Sequence, residues 1–286
     1  MAEYYLVTSE ALKKNVIFQS REDYIIGMND IALCAVKYSI RIVCFCLMSN
    51  HFHFVLYGNY KECYAFAQEY KKMCAIRMRS IRGEVCGLKN VNIRLDLLDS
   101  EEYLKAAVVY VLRNPLSAHI IMMPNLYEWS SASAYFRGAL KIKGVQVNSF
   151  SLRQKREILK SRHTVVPDSY IVDSDGIISP ACYVATDIVE KLFPHPSYLM
   201  VALSKRVENE MEIKMGAAQR FSLSDAELKS MMGGLIKEEF GVCALSSLSV
   251  DDRLRLCLLL KKNFNASVKQ ISRILRISQD LVASVL

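Results

Sequence analysis

Two hydrophobic periods take turns along the first 140 residues. "YYLVTS" (4–9) has the short, β-rich character of a strand. In "SREDYIIGMNDIALCAVKY" (20–38), Ile25, Met28, Ala32, Ala35 and Val36 recur at helical spacing, and Ser20 with Asp23 three residues on forms an N-cap signature. "IRIVCFCL" and "HFHFVLYG" read as two strands joined by a tight turn at Met48-Ser49-Asn50. "YKECYAFAQEYKKMCAIRMRS" reads as a helix and "NIRLDLLD" as a short strand. "SEEYLKAAVVYVLRN" reads as a second long helix, capped by Ser100 and ended by Pro115. The order β-α-β-β-α-β-α predicts an α+β fold, a ferredoxin-like antiparallel sheet with packed helices, over residues 1–138.

Beyond residue 138 the pattern is less regular. In 139–240, "KIKGVQVNSFSLRQKREILKSRH" reads as a basic linker plus a short helix, and "SYIVDSDGIISPACYV" as two β-rich arms around Asp-Gly, a hairpin signal. Helical patterns follow in "TDIVEKLF", "SYLMVALSKRVENEMEI" and "SDAELKSMMGGLIKEEF". Residues 241–286 contain three short helical patterns with very short breaks. Ile271, Ile274 and Leu275 share one face of the second, "RIS" forms the turn, and "QDLVASVL" forms the third. Short helix, three-to-four-residue turn, short helix is a helix-turn-helix arrangement; a three-helix packing bundle is the structural alternative.

At 52% apolar the chain has ample material for folded cores. No uninterrupted apolar run reaches about 18 residues, so no membrane span is expected. The N-terminus shows no basic segment followed by an apolar stretch, and nine cysteines fall in no framework spacing. A reducing, cytoplasmic location is the expectation. The formal charge of +8 is compatible with a polyanionic partner. There is no Gly-rich phosphate loop ending in Gly-Lys-Ser/Thr, so no nucleotide cofactor is expected.

The chemistry concentrates in "LMSNHFHFVLYGN" (47–59). Side chains i and i+2 of a strand share a face, so His51 and His53 project together while Phe52 and Phe54 point the other way. Neutral imidazoles there can converge on one divalent cation, with further ligands from another element or from substrate. From the spacing alone an ordinary pair of hydrogen-bonded histidines is the commoner reading. Cys44 and Cys46 alternate on the preceding strand, which admits a mixed Cys/His zinc site or two small buried thiols. His119, His163 and His195 stand isolated.

"VIFQSREDY", "FCLMSNHFHFVLYGN", "YVLRNPLSA" and "YEWSSASAYF" occur in that order. The series resembles the single-tyrosine HUH transposases, specifically the REP-associated tyrosine transposase branch, over roughly the first half of the chain. The resemblance implies an HUH endonuclease fold with His51, His53 and Asn114 holding Mg2+ or Mn2+ and with Tyr110 as nucleophile. Tyr110 and Asn114 lie four apart and so share one helix face. A phenol, with a reference pKa near 10, becomes a better nucleophile beside a cation, which also withdraws charge from the phosphate under attack. The implied activity is cleavage and rejoining of single-stranded DNA at a hairpin or repeat, through a 5′-phosphotyrosine, with a homodimer as a possible assembly. Tyr103, seven residues before Tyr110, is the decoy on roughly the same face, and Trp129 with Ser130-Ser131 reads as packing and turn.

Basic residues supply candidate phosphate contacts: Lys71, Lys72, Arg77 and Arg79 after the histidine strand, and Lys261, Lys262, Lys269, Arg273 and Arg276 around the last helices. Gln279, opening the third helix, is a candidate base-edge contact. Two other functions fit the same residues: a DNA-binding or regulatory protein without chemistry, and a replication-initiator-type nickase. The absence of a tyrosine pair three or four apart and of a helicase segment counts against the latter.

Overall fold

A computed structural model of the chain describes residues 2–12, 16–83, 87–117, 127–138, 142–204, 225–242, 244–264, 266 and 268–285. Residues 205–224, on which the end of the "SYLMVALSKRVENEMEI" helix falls, and His119 lie outside them. The first unit gathers Met1–Leu12 and Val16–Ala218; the second gathers Lys13–Asn15 and Gln219–Leu286. Among the described residues no helix is long and apolar enough to cross a membrane.

The first unit is built on four antiparallel strands, β1 (Glu3–Ser9), β2 (Arg41–Met48), β3 (His51–Gly58) and β4 (Ile93–Leu98), in spatial order β2-β3-β1-β4. Two helices, α1 (Arg21–Lys37) and α2 (Tyr60–Arg82), pack on one face, and α3 (Glu101–Ser117) packs on the other. This is the ββ-centred, antiparallel order that the β-α-β-β-α-β pattern predicts. Ser20 caps α1 in a complete capping box with Asp23. Asn59 caps α2, and Gly83, in the left-handed region at φ 67°, ends it by donating to Arg79 O at 3.0 Å. Gly27 lets α1 approach closely, because a Cβ there would stand 2.5 Å from the Phe18 ring.

β3 is buried on both faces, and its alternation sorts the two layers. Phe52 and Phe54 meet Tyr70 and Phe66 of α2 at ring separations of 4.9 and 5.3 Å. The histidines face α3. The outer edge of β2 is covered by later chain. Phe45 N donates to Ser131 Oγ, Leu47 N donates to Trp129 O, and Tyr127 and Tyr135 hydroxyls donate to Leu47 O and Val43 O. Ala185 N donates to Ile42 O farther along. Trp129, Ser130 and Ser131 therefore satisfy and hide an edge that would otherwise expose unpaired backbone groups.

Three details depart from the sequence pattern. Pro115 lies inside α3, which runs on to Ser117. A proline in the last turn forfeits one backbone bond without forcing a stop, and Asn114 Nδ2 donates to Tyr110 O at 2.8 Å in the same turn. The Asp-Gly hairpin shrinks to one bridge between Val172 and Ile178, around a loop whose Asp173 carboxylate accepts from Asp175 and Ile177 amides. Its first arm, β6 (Ile171–Val172), pairs instead with β5 (Val145–Gln146). Finally, the sequence boundaries at 138/139 and 240/241 do not coincide with the division between units. α4 (Leu152–Leu159), α5 (Thr186–Leu192) and α6 (Pro196–Ser204) belong to the first unit.

The second unit holds α7 (Asp225–Phe240), α8 (Val250–Phe264), α9 (Val268–Leu275) and α10 (Gln279–Val285). α9 and α10 are joined by three residues, with Arg276 in the left-handed region at φ 57°. Asp225 of α7 accepts from Arg273 at 2.6 and 2.8 Å and from Gln270, both of α9.

One buried ion pair ties α1 to α2. Asp30 accepts from Arg77 at 3.1 Å, and Arg77 also donates to the carbonyls of Leu159 and Lys160 at the end of α4. Burial outweighs the guanidinium and lifts the Asp30 carboxyl to about 6 from 3.8. The folded chain then holds this proton more tightly than the unfolded chain, so stability falls as pH rises from about 4 to about 6. Asp30→Asn should remove this slope, worth on the order of 1–3 kcal/mol, in urea unfolding at pH 4.5 and 7. Arg77→Ala should cost more at pH 7, about 3–5 kcal/mol, by leaving the carboxylate buried and uncompensated.

Candidate functional site

The β2–β3 turn is held in place before any chemistry is considered. Ser49 O accepts from the Ile17 and Phe18 amides, and Asn50 O accepts from Leu12 N. The Asn50 side chain faces two ways: Nδ2 donates to Leu12 O at 3.1 Å, and Oδ1 accepts from His51 Nδ1 at 2.7 Å. On the neighbouring strand Thr8 lies in register with His53, its Oγ1 3.3 Å from His53 Nδ1. Each imidazole thus engages a neighbour through Nδ1, which in the tautomer protonated there leaves Nε2 as the lone-pair nitrogen.

The two imidazole rings stand 4.9 Å apart at 82°, and the Tyr110 ring stands 5.3 Å from that of His53. His51, His53 and Asn114 are buried, and Tyr110 is 9% exposed. Asn114 turns its amide nitrogen to Tyr110 O. Its Oδ1 is buried without a well-formed hydrogen bond. Burial, and then the neighbouring His51, push the His53 pKa well below its ordinary value; the Asn114 side chain pulls weakly the other way. Two imidazoles, that of His53 held neutral, beside a buried amide oxygen fit a cation in chemical type: two nitrogen donors and one oxygen donor, with further positions left to other ligands. Among the described residues no group of three or more His, Cys, Asp or Glu side chains could hold a metal ion.

The sheet register adds residues that spacing in the sequence does not reveal. His53 of β3, Thr8 of β1 and Arg94 of β4 form one row across three strands, all on the α3 face. Arg94 Nε donates to Asp96 Oδ1 at 2.7 Å, so its guanidinium is oriented about two strand spacings, roughly 10 Å, from the histidine. Tyr103 also lies near this pair: burial and then Asp96 raise its pKa. It therefore sits two turns before Tyr110, toward β4.

The remaining candidates are placed elsewhere. Lys71, Lys72, Arg77 and Arg79 sit on α2, across the sheet from the histidines. Lys71 Nζ donates to Val91 O at 3.0 Å, Arg77 is committed to Asp30, and Lys72 lies 3.9 Å from Glu69. Lys261, Lys269, Arg273, Arg276 and Gln279 belong to the second unit, where Arg273 is held by Asp225; the Lys262 side chain lies outside the described residues. Cys44 and Cys46 are buried thiols whose pKa burial raises, the environment of inert cysteines. His195 Nδ1 bonds Ser197 Oγ at 2.8 Å, away from the pair.

No family model matches the chain, and no curated protein does. Among solved structures, a REP-associated tyrosine transposase bound to a REP hairpin is similar over 52% of this chain and 89% of its own, at 15% identity and a TM-score of 0.38.

The buried, neutral state of His53 has a measurable consequence. Its folded pKa lies below the unfolded value of 6.5, so the unfolded chain takes up the proton first. With chelator present, stability should be full above pH 6.5 and fall as pH drops below it. His53→Gln should weaken that loss in urea titrations at pH 7.5 and 5.5. An identical pH dependence in the variant would show that folding does not depress the His53 pKa.

Proposed function

We propose that the first unit is a metal-dependent DNA transesterase that cuts and rejoins single-stranded DNA, with Tyr110 as nucleophile. The observation that carries this reading is the meeting of His51, His53, Tyr110 and Asn114 across β3 and α3. A divalent cation, Mg2+ or Mn2+, held by His51, His53 and Asn114 would polarise the scissile phosphate and favour the phenolate.

The protein's own groups do the rest. Asn50 and Thr8 engage Nδ1 of the two rings, so that Nε2 of each would be the nitrogen offered to the cation. Tyr110 loses its phenolic proton to solvent and its oxygen attacks phosphorus. The P–O3′ bond breaks, and the departing oxygen takes up a proton as a 3′-hydroxyl. The product is a 5′-phosphotyrosine, which conserves the phosphodiester so that a second 3′-hydroxyl can reverse the step. Arg94, oriented by Asp96 in the same row as His53, lies where a neighbouring phosphate of the strand can be held. Lys269, Arg276 and Gln279 of the second unit are proposed to add affinity for duplex flanks.

The burial of Tyr110 favours a second reading, a DNA-binding regulator that performs no chemistry. The decisive experiment incubates the protein with a labelled pool of single-stranded hairpins and Mn2+, then looks for a denaturant-stable protein–DNA adduct. Wild type and Tyr103→Phe should form it, and Tyr110→Phe should not, with DNA affinity unchanged. Thr8→Val should slow it about tenfold through loss of ring orientation. Binding without any adduct would establish the regulatory reading.

A further inference from the structure

On the side of the sheet away from the histidines, α1, α2 and the segment after α4 enclose a cleft of about 670 Å3. Its floor is aliphatic and sulfur-bearing, from Leu33, Cys34, Val36, Met73 and Ile76, with Val165 on the far wall. Ile76 is 55% exposed and Val165 79% exposed, so both present apolar surface to water. The rim is cationic: Lys37, Lys72, Arg77, Lys160 and Arg162.

The rim charges are only partly offset. Glu69 is shared by Lys37 at 2.9 Å and Lys72 at 3.9 Å, Arg77 meets Asp30, and Lys160 lies 3.7 Å from Glu22. Arg162 makes no ion pair among the described residues. The cleft therefore combines an apolar interior with surplus positive charge at its mouth.

Size and composition narrow the occupant. The volume falls within the range of small-molecule sites. Three turns of helix with side chains would need about 1,500 Å3. No Phe, Tyr or Trp lines the cleft; its one ring is the exposed imidazole of His163, at the segment after α4 and not on the aliphatic floor. Cys34 Sγ and Met73 Sδ, 3.4 Å apart, make a polarisable floor that adapts to a flexible chain. We propose that this cleft binds an organic anion with an aliphatic body, of the medium-chain carboxylate class. Its headgroup sits at Lys72 and Arg162, and its chain lies against Met73, Ile76 and Val165.

The test is calorimetric titration of the full chain with dodecanoate below its micellar concentration. Dodecyltrimethylammonium and a twelve-nucleotide single strand serve as comparators. Saturable binding of one dodecanoate per chain is expected, at least about tenfold tighter than the cationic amphiphile. Ile76→Glu and Arg162→Glu should each weaken it about tenfold without lowering the melting temperature, since both positions are exposed. Val165→Glu, at the most exposed wall position, repeats the test should Ile76→Glu unfold. Absence of saturable binding overturns the proposal. So do equal affinity for the cationic amphiphile, undiminished binding by the variants, and displacement of dodecanoate by the oligonucleotide.

Discussion

The register of β3 between β1 and β2 is the constraint on which the rest of the first unit depends. With both faces of the strand buried, a one-residue slip would drive the two imidazoles among the phenyl rings of α2 and turn Phe52 and Phe54 toward α3. Polar groups on the wrong side would lose the Thr8 and Asn50 contacts that now satisfy them, and a buried polar group without a partner is costly. The phenylalanines and the histidines are therefore two halves of one device. The apolar half fixes where the strand lies, and that position gathers the polar half under α3.

Much of this was legible in the chain because it is local. The alternation of "HFHFVLYG", the Ser20–Asp23 box and the Ser100 cap depend on neighbours a few residues away, and the structure has all three. The four-residue offset of Tyr110 and Asn114 likewise follows from helix geometry. What the chain does not display is register across strands. Thr8 and Arg94 join His53 in one row only after β1 and β4 are docked, and no spacing in the sequence announces it. The same holds for charge. Arg77 reads as a solvated cation or a phosphate contact, yet a buried aspartate 47 residues away has claimed it. Asp225 similarly engages Arg273 from a helix that the sequence pattern assigns to a different region.

The sheet divides the first unit into two chemically distinct sides. One carries two imidazoles, a phenol and an amide under α3. The other carries α1 and α2, an aliphatic cleft and a surplus of ammonium and guanidinium groups. The sheet keeps the α2 cations on the face opposite the histidines, out of hydrogen-bonding reach, so basic residues there are poor candidates to contact a phosphate beside Tyr110.

The covering of β2's outer edge has a consequence for synthesis. Phe45 waits for Ser131, 86 residues later, and Val43 waits for Tyr135, 92 residues later, with Ile42 served later still by Ala185. At about 5–20 residues per second a ribosome needs several seconds to deliver those partners. During that interval the nascent chain carries an apolar strand, "RIVCFCLM", with one row of amides and carbonyls unanswered. Chaperone capture of the nascent chain, or slow codons placed well after this strand, would govern how much of the protein reaches the folded state.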